Sequence, residues 1–116
     1  MFQPDLLKGK RILVTGGGTG LGRSMAHRYL ELGANVVICG RREDVLKQTA
    51  EELAKETGGE IETVGCDVRV PDAVEAMMEK IWVKRPLDIL VNNAAGQILA
   101  QTHKMSSRAI DAVLGI

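Results

Sequence analysis

Five of the eight residues in TGGGTGLG, Thr15 to Gly22, are glycine. Glycine weakens strands and helices alike, so this density requires something that must approach the backbone closely. The octet follows a β-branched run and opens a helical one. It therefore stands where a helix N-terminus offers unpaired N–H groups and positive potential to an anion. The chemistry it suits is phosphate binding by main chain. Gly16 permits the tight turn, Gly20 lets backbone meet a pyrophosphate, and Gly22 lets the helix pack close to the sheet. The spacing is G-x-x-x-G-x-G, not the G-x-G-x-x-G of other dinucleotide folds. No Lys-Ser/Thr pair follows the last glycine, so it is not a P-loop. A plain turn without a ligand is the alternative.

Three more clusters follow. In CGRRED, Gly40 occupies the place where an acidic residue would hold the ribose hydroxyls of NAD, and Arg41 and Arg42 come next, where arginine accommodates the extra phosphate of NADP. The alternative is a solvated basic turn balanced by Glu43 and Asp44. In CDV, Asp67 can accept from an adenine amino group, or serve as an N-cap or turn aspartate before Pro71. In NNAAG, Asn92 to Gly96, small residues let a cofactor lie against the backbone, and the paired asparagines can bond neighbouring strand ends.

The elements that must position these clusters are legible from periodicity. Strands are predicted at Arg11–Thr15, Asn35–Cys39, Glu60–Cys66 and Leu87–Val91. Helices are predicted over Leu21–Leu32, ended by Gly33, and from Glu43 to about Thr57, with Leu46, Thr49, Ala50 and Leu53 on one face. Another begins at Pro71, with Val74, Met77, Met78 and Ile81 as its buried stripe. Ser106 reads as the N-cap of a last helix. Strand–helix alternation with apolar strands implies α/β architecture: a Rossmann-type, doubly wound parallel sheet. Four strands make little more than one half of such a sheet, and all four clusters fall at the carboxyl ends of its strands.

Bulk properties narrow the function. The 116 residues amount to a single domain, with 15 acidic and 15 basic side chains and 3% aromatics. That balance argues against nucleic acid or an anionic membrane as partner. No apolar run is long enough to span a bilayer, and no metal-ligand spacing occurs. Cys39 and Cys66 read as free thiols, small buried hydrophobes near strand ends, in a reducing cytoplasm.

TGGGTGLG, the CGRR turn, CDV and NNAAG, in this order and spacing, closely resemble the short-chain dehydrogenase/reductase family, over essentially the whole chain but only in the family's N-terminal, cofactor-binding half. The resemblance implies an NAD(P)-dependent oxidoreductase acting on a carbonyl, an alcohol or an activated double bond. By resemblance, Gly16, Thr19, Leu21 and Gly22 line the pyrophosphate, and Arg41 sits where NADP-preferring members hold the 2′-phosphate. Asp67 and Val68 contact adenine, and Asn93, Ala94 and Gly96 lie along the adenosine ribose. NADP(H) is favoured over NAD(H), although many NADP-preferring members carry a basic residue where this chain has Thr19. GGGTGLG with DVRVPDAV and NNAAGQ most resembles dienoyl-CoA and enoyl-CoA reductases, which implies a small-molecule, acyl-thioester substrate. Bacterial 3-oxoacyl-carrier-protein reductases share much of the pattern.

The resemblance also implies what the chain lacks. Family chemistry uses a serine and a tyrosine four residues before a lysine, the tyrosine acting as general acid. Here the residue four after Tyr29 is Gly33, and Ser24, Ser106 and Ser107 lie in or at the start of helices. His27 reads as a helix-surface residue, His103 as an ordinary exposed loop residue with a place near a substrate loop as the alternative, and Met105, Trp82 and Phe2 as packing groups. No catalytic residue is therefore assigned. The expectation is that residues 1–116 form the NAD(P)-binding domain of a reductase roughly twice as long, by the two-half logic of the fold, and homo-oligomeric at full length. The chain alone is expected to be inactive. A non-catalytic nucleotide-binding module and an interaction fragment are the competing readings.

Overall fold

The structure, a computed structural model, describes residues 5–18 and 20–93. Along them run β1 (Arg11–Thr15), α1 (Gly20–Glu31), β2 (Asn35–Gly40), α2 (Glu43–Thr57), β3 (Ile61–Gly65), α3 (Pro71–Lys84) and β4 (Ile89–Val91). Every strand pairing is parallel, and the order across the sheet is β3-β2-β1-β4. The chain winds outward from β1 to β3, then returns to place β4 on the other side of β1. Strand order thus reverses at β1, which opens a crevice at the carboxyl ends of β1 and β4.

Period-two alternation sends the strand side chains into two separate cores. Ile12, Val14, Val36 and Ile38 pack with Ala26 and Leu30 of α1 and with Leu46 and Leu53 of α2. Leu13, Val37 and Cys39 pack against Val74, Met77, Met78 and Ile81 of α3. Helices on both faces explain why β1 is buried along its whole length and why its sequence does not alternate. The doubly wound α/β architecture expected from the sequence is the one observed.

The element ends follow local chemistry. Pro71 opens α3 at its first turn, and the N-cap there is Val70, not Asp67. Gly58 closes α2 in the left-handed conformation. β4 is shorter than its apolar run suggests. Leu87 turns into the α3-side core, and Asp88 pairs with Arg11: its Oδ2 accepts from the Arg11 amide at 2.8 Å and its own amide donates to the Arg11 carbonyl at 2.9 Å.

Arg11 is the element of the core that apolar patterning does not reveal. It is 2% exposed. Its Nη1 donates to the carbonyls of Ile81 (2.7 Å) and Arg85 (2.6 Å), at the C-terminus of α3, and its Nη2 to Glu62 Oε2 (2.9 Å). A cation there serves the Arg85 carbonyl, adds a donor to the Ile81 carbonyl, which also accepts a long 3.5 Å bond from the Arg85 amide, and opposes the negative end of the helix dipole. Burial pushes the Glu62 carboxyl up, but hydrogen bonds from Arg11 and Lys84 outweigh it and hold the carboxyl below its ordinary value. This network lies at the amino ends of the strands, away from the crevice.

Candidate functional site

The glycine turn joins β1 to α1 at the mouth of the crevice. Gly16 (φ 64°) and Gly20 (φ 58°) both take left-handed conformations that side chains disfavour. Around Gly20 the described residues also leave open space, since a Cβ built there would meet none of their atoms within 4 Å. That openness suits a ligand lying against the backbone. Gly22 has no room for a side chain. A Cβ on Gly22 would collide with the Gly16 carbonyl, lying 2.8 Å from its carbon, and would stand 2.9 Å from Asn93 Nδ2. Gly22 therefore lets α1 close against the turn that leaves β1 and the asparagine that follows β4.

The turn is tied down from three sides. The Gly16 amide donates to the Cys39 carbonyl at 3.0 Å. Asn93 Nδ2 donates to the Gly16 carbonyl at 3.3 Å. Thr49, which reads in the sequence as part of the apolar stripe of α2, is buried, and its hydroxyl donates to the Gly18 carbonyl at 2.6 Å. The paired asparagines behave as expected: Asn92 Oδ1 accepts from the Thr15 hydroxyl at 3.2 Å, while Asn93 reaches the turn. None of the first-turn residues of α1 is acidic, whereas α2 has Glu43 and Asp44 and α3 has Asp72. The positive end of α1 is left without the carboxylates that compensate the other two helices.

Beside the turn lies an open cleft of about 400 Å³, lined by Gly16, Gly18, Gly40, Arg41, Val45 and Leu46 among others. Cys39 forms part of its floor. Burial pushes the Cys39 thiol up to about 12 and raises that of Cys66 as well. Both cysteines are free and buried, so they act as apolar packing groups rather than nucleophiles. Arg41 and Arg42 are exposed at the cleft rim. Arg42 pairs with Asp44 at 3.6 Å, as a solvated basic turn would have it. Arg41 makes no hydrogen bond or ion pair with the other described residues.

Asp67 stands across the rim, beyond β3. Its Oδ1 accepts from the Arg69 amide and Nε, both at 3.0 Å, and its Oδ2 from Arg69 Nη2 at 2.9 Å. These bonds, side chain first and then backbone, hold the Asp67 carboxyl down at about 2, with Arg41 adding its charge. Asp67 is thus a turn aspartate. A carboxylate offers about four acceptor positions, so one remains for a further donor. Val68 packs on the α3-side core, and Leu21 is 68% exposed beside the glycine turn.

Gly16, Gly20, Leu21, Gly22, Arg41, Arg42, Asp67, Val68 and Asn93 thus gather at the carboxyl edge of the sheet. Thr19, Ala94 and Gly96 lie outside the described residues, as do His103, Met105 and the serines at 106 and 107. Tyr29 packs with the α1/α2-side core, and Ser24 faces outward on α1. Among the described residues no group of His, Cys, Asp or Glu could hold a metal ion, and no helix is long and apolar enough to cross a membrane.

Comparison with known proteins places this geometry in context. The family model described as short chain dehydrogenase matches residues 10–116. A Caenorhabditis elegans protein named "Probable 2,4-dienoyl-CoA reductase 3" is 46% identical over all of this chain and 38% of its own length. Among solved structures, a citronellol catabolism dehydrogenase of Pseudomonas aeruginosa PAO1 superposes with a TM-score of 0.79 at 32% identity, over 96% of this chain and 53% of that one. An actinorhodin polyketide ketoreductase variant solved with NADPH matches at a TM-score of 0.68 and 38% identity, over 72% of this chain and 32% of its own. The chain therefore spans well under two thirds of each of these relatives.

Proposed function

The chain belongs to the short chain dehydrogenase family, and on that premise we propose that it supplies the NADP(H)-binding domain of a reductase acting on an enoyl or dienoyl thioester. The observation that carries the reading is the cleft lined by Gly16 and Gly18 of the glycine turn and by Arg41 and Arg42: the turn leads into a helix whose first turn has no compensating acid, and Arg41 on the rim forms no ion pair with the described residues. The first-turn amides of α1, with Gly16, Gly20, Leu21 and Gly22, receive the pyrophosphate, and Thr19 joins them. Arg41 holds the 2′-phosphate, with Arg42 adding charge. Asp67 takes the adenine amino group on its remaining acceptor position, and Val68 packs on the ring. Asn93, with Ala94 and Gly96, runs along the adenosine ribose. The nicotinamide ring, once bound, carries the hydride. Residues 1–116 bind and orient it, and the acid–base groups come from outside them. The thioester substrate is supported by the dienoyl-CoA reductase name of the 46%-identical relative.

Arg41→Ala tests the assignment in the intact protein. The guanidinium–phosphate bond is charge-assisted, so NADPH affinity is expected to fall about tenfold to a hundredfold, with NADH affinity changing less than about threefold. Equilibrium titration with both nucleotides reads the ratio, and a ratio equal to wild type removes the NADP assignment.

A further inference from the structure

β3 ends in Gly65, whose φ is not in the left-handed range, so its backbone does not call for glycine. Space does. A Cβ at Gly65 would run into the side chain of Glu43: it would stand 2.7 Å from Cγ and 2.8 Å from Cδ, with Oε1 closer still. The carboxylate of the first residue of α2 therefore rests on the bare backbone at the end of β3. Gly65 pairs in register with Gly40, which lines the cleft, so this seat is about one strand spacing, ~4.8 Å, outside the cleft wall. The residues on both sides of Glu43 in sequence, Arg41, Arg42, Val45 and Leu46, line the cleft, while Glu43 does not. Nor does Glu43 form an ion pair with the described residues. An acid two positions from Arg41 is thus kept off the cation set by the absence of one methyl group on the neighbouring strand.

We propose that Gly65 is a positioning residue for nucleotide selectivity: it provides the seat that keeps the Glu43 carboxylate out of the 2′-phosphate site. The proposal rests on the reading that Arg41 receives the 2′-phosphate. A side chain at position 65 displaces the carboxylate. The displacement takes a rotamer change of Glu43 from Cγ outward, because the three nearest atoms are all in its side chain and none is backbone. Among the directions open to it is the one toward Arg41 and Arg42, where a negative charge repels a phosphate and neutralises the cations that bind it.

The test is a set of variants of the intact protein, each titrated with NADPH and NADH and each checked by thermal unfolding. Gly65→Ala is expected to lower the NADPH-to-NADH affinity ratio about threefold to tenfold, the scale of one solvated charge pair. Adding Glu43→Gln to Gly65→Ala is expected to restore the ratio, because the displaced group no longer carries charge. A purely structural role for Gly65 would weaken both nucleotides together, and Glu43→Gln would not rescue it. An unchanged ratio in Gly65→Ala, or a lowered one that Glu43→Gln leaves low, overturns the proposal. Arg41→Ala in the same series separates the two levels. If it lowers the ratio while Gly65→Ala does not, only the seat is wrong. If it too leaves the ratio unchanged, the phosphate site itself is misplaced and the proposal falls with it.

Discussion

Gly22→Ala is expected to reduce NADPH affinity by about a hundredfold or more, which corresponds to roughly 2.7 kcal/mol, without unfolding the sheet. The added methyl has no room. Its nearest neighbours are the Gly16 carbonyl, which is backbone, and Asn93 Nδ2 at 2.9 Å. Backbone cannot rotate out of the way as a side-chain tip can, so α1 must back off or the turn must open. Either movement breaks the 3.3 Å bond from Asn93 to the Gly16 carbonyl and misaims the first-turn amides together. Overpacking of this kind costs about 1–3 kcal/mol. The two hydrophobic clusters remain intact, because Gly22 contributes no side chain to either. Circular dichroism should therefore report a folded protein while nucleotide titration reports the loss. Ser24→Ala, on the exposed side of the same helix, should change neither. Wild-type affinity in Gly22→Ala would mean that the turn is not the pyrophosphate site.

Arg11→Met is expected to destabilise the fold by about 2–4 kcal/mol, with little direct effect on nucleotide selectivity. Methionine fills much of the volume but donates nothing. The Arg85 carbonyl loses the guanidinium donor and the Ile81 carbonyl keeps the long 3.5 Å bond from the Arg85 amide, against a cost of about 1–3 kcal/mol for a buried group left unsatisfied. The ion pair with Glu62 adds less, because the Glu62 side chain is 38% exposed and solvent screens it. Against a total stability of about 5–15 kcal/mol this is a large fraction, visible as a lowered unfolding midpoint. Arg11→Lys should fall between, since one ammonium cannot reach three acceptors in the fixed geometry of a guanidinium. The pH dependence has a definite sign. The folded carboxyl of Glu62 lies below its ordinary value. Its contribution is therefore fully present above the unfolded pKa, about 4.3, and is lost as pH falls through the lowered folded value. Arg11→Met should flatten that acid limb. An unfolding midpoint equal to wild type would show that the buried guanidinium contributes nothing net.

Most of the fold was legible because its rules are local and periodic. The strand at Arg11–Thr15, the helix at Glu43–Thr57 and the stripe Val74, Met77, Met78 and Ile81 stand where β-branching, capping and 3.6-residue spacing place them. The pairing of β4 with β1 follows from the topology of winding rather than from any residue. What escaped the sequence depends on contacts between distant positions. Arg11 lies in an apolar run, and only the folded chain brings the C-terminus of α3, 70 residues away, to its guanidinium. Thr49 has the spacing of a core residue and is one, yet its hydroxyl also anchors the glycine turn. Gly22 was legible as a close-packing residue, but the neighbours it spares are a carbonyl in its own turn and an asparagine just after β4. Gly65 carried no signal at all, since a glycine at a strand end suggests only a turn, and its meaning depends on where Glu43 lies.

The central claim is that the cleft between the glycine turn and Arg41 holds NADPH, and its most direct test is the pair of dissociation constants of the intact protein for NADPH and NADH under one set of conditions. The account predicts that both nucleotides bind and that NADPH binds tighter by about tenfold or more, at least 1.4 kcal/mol from the added phosphate. Equal affinities, tighter NADH, or no binding of either would contradict it.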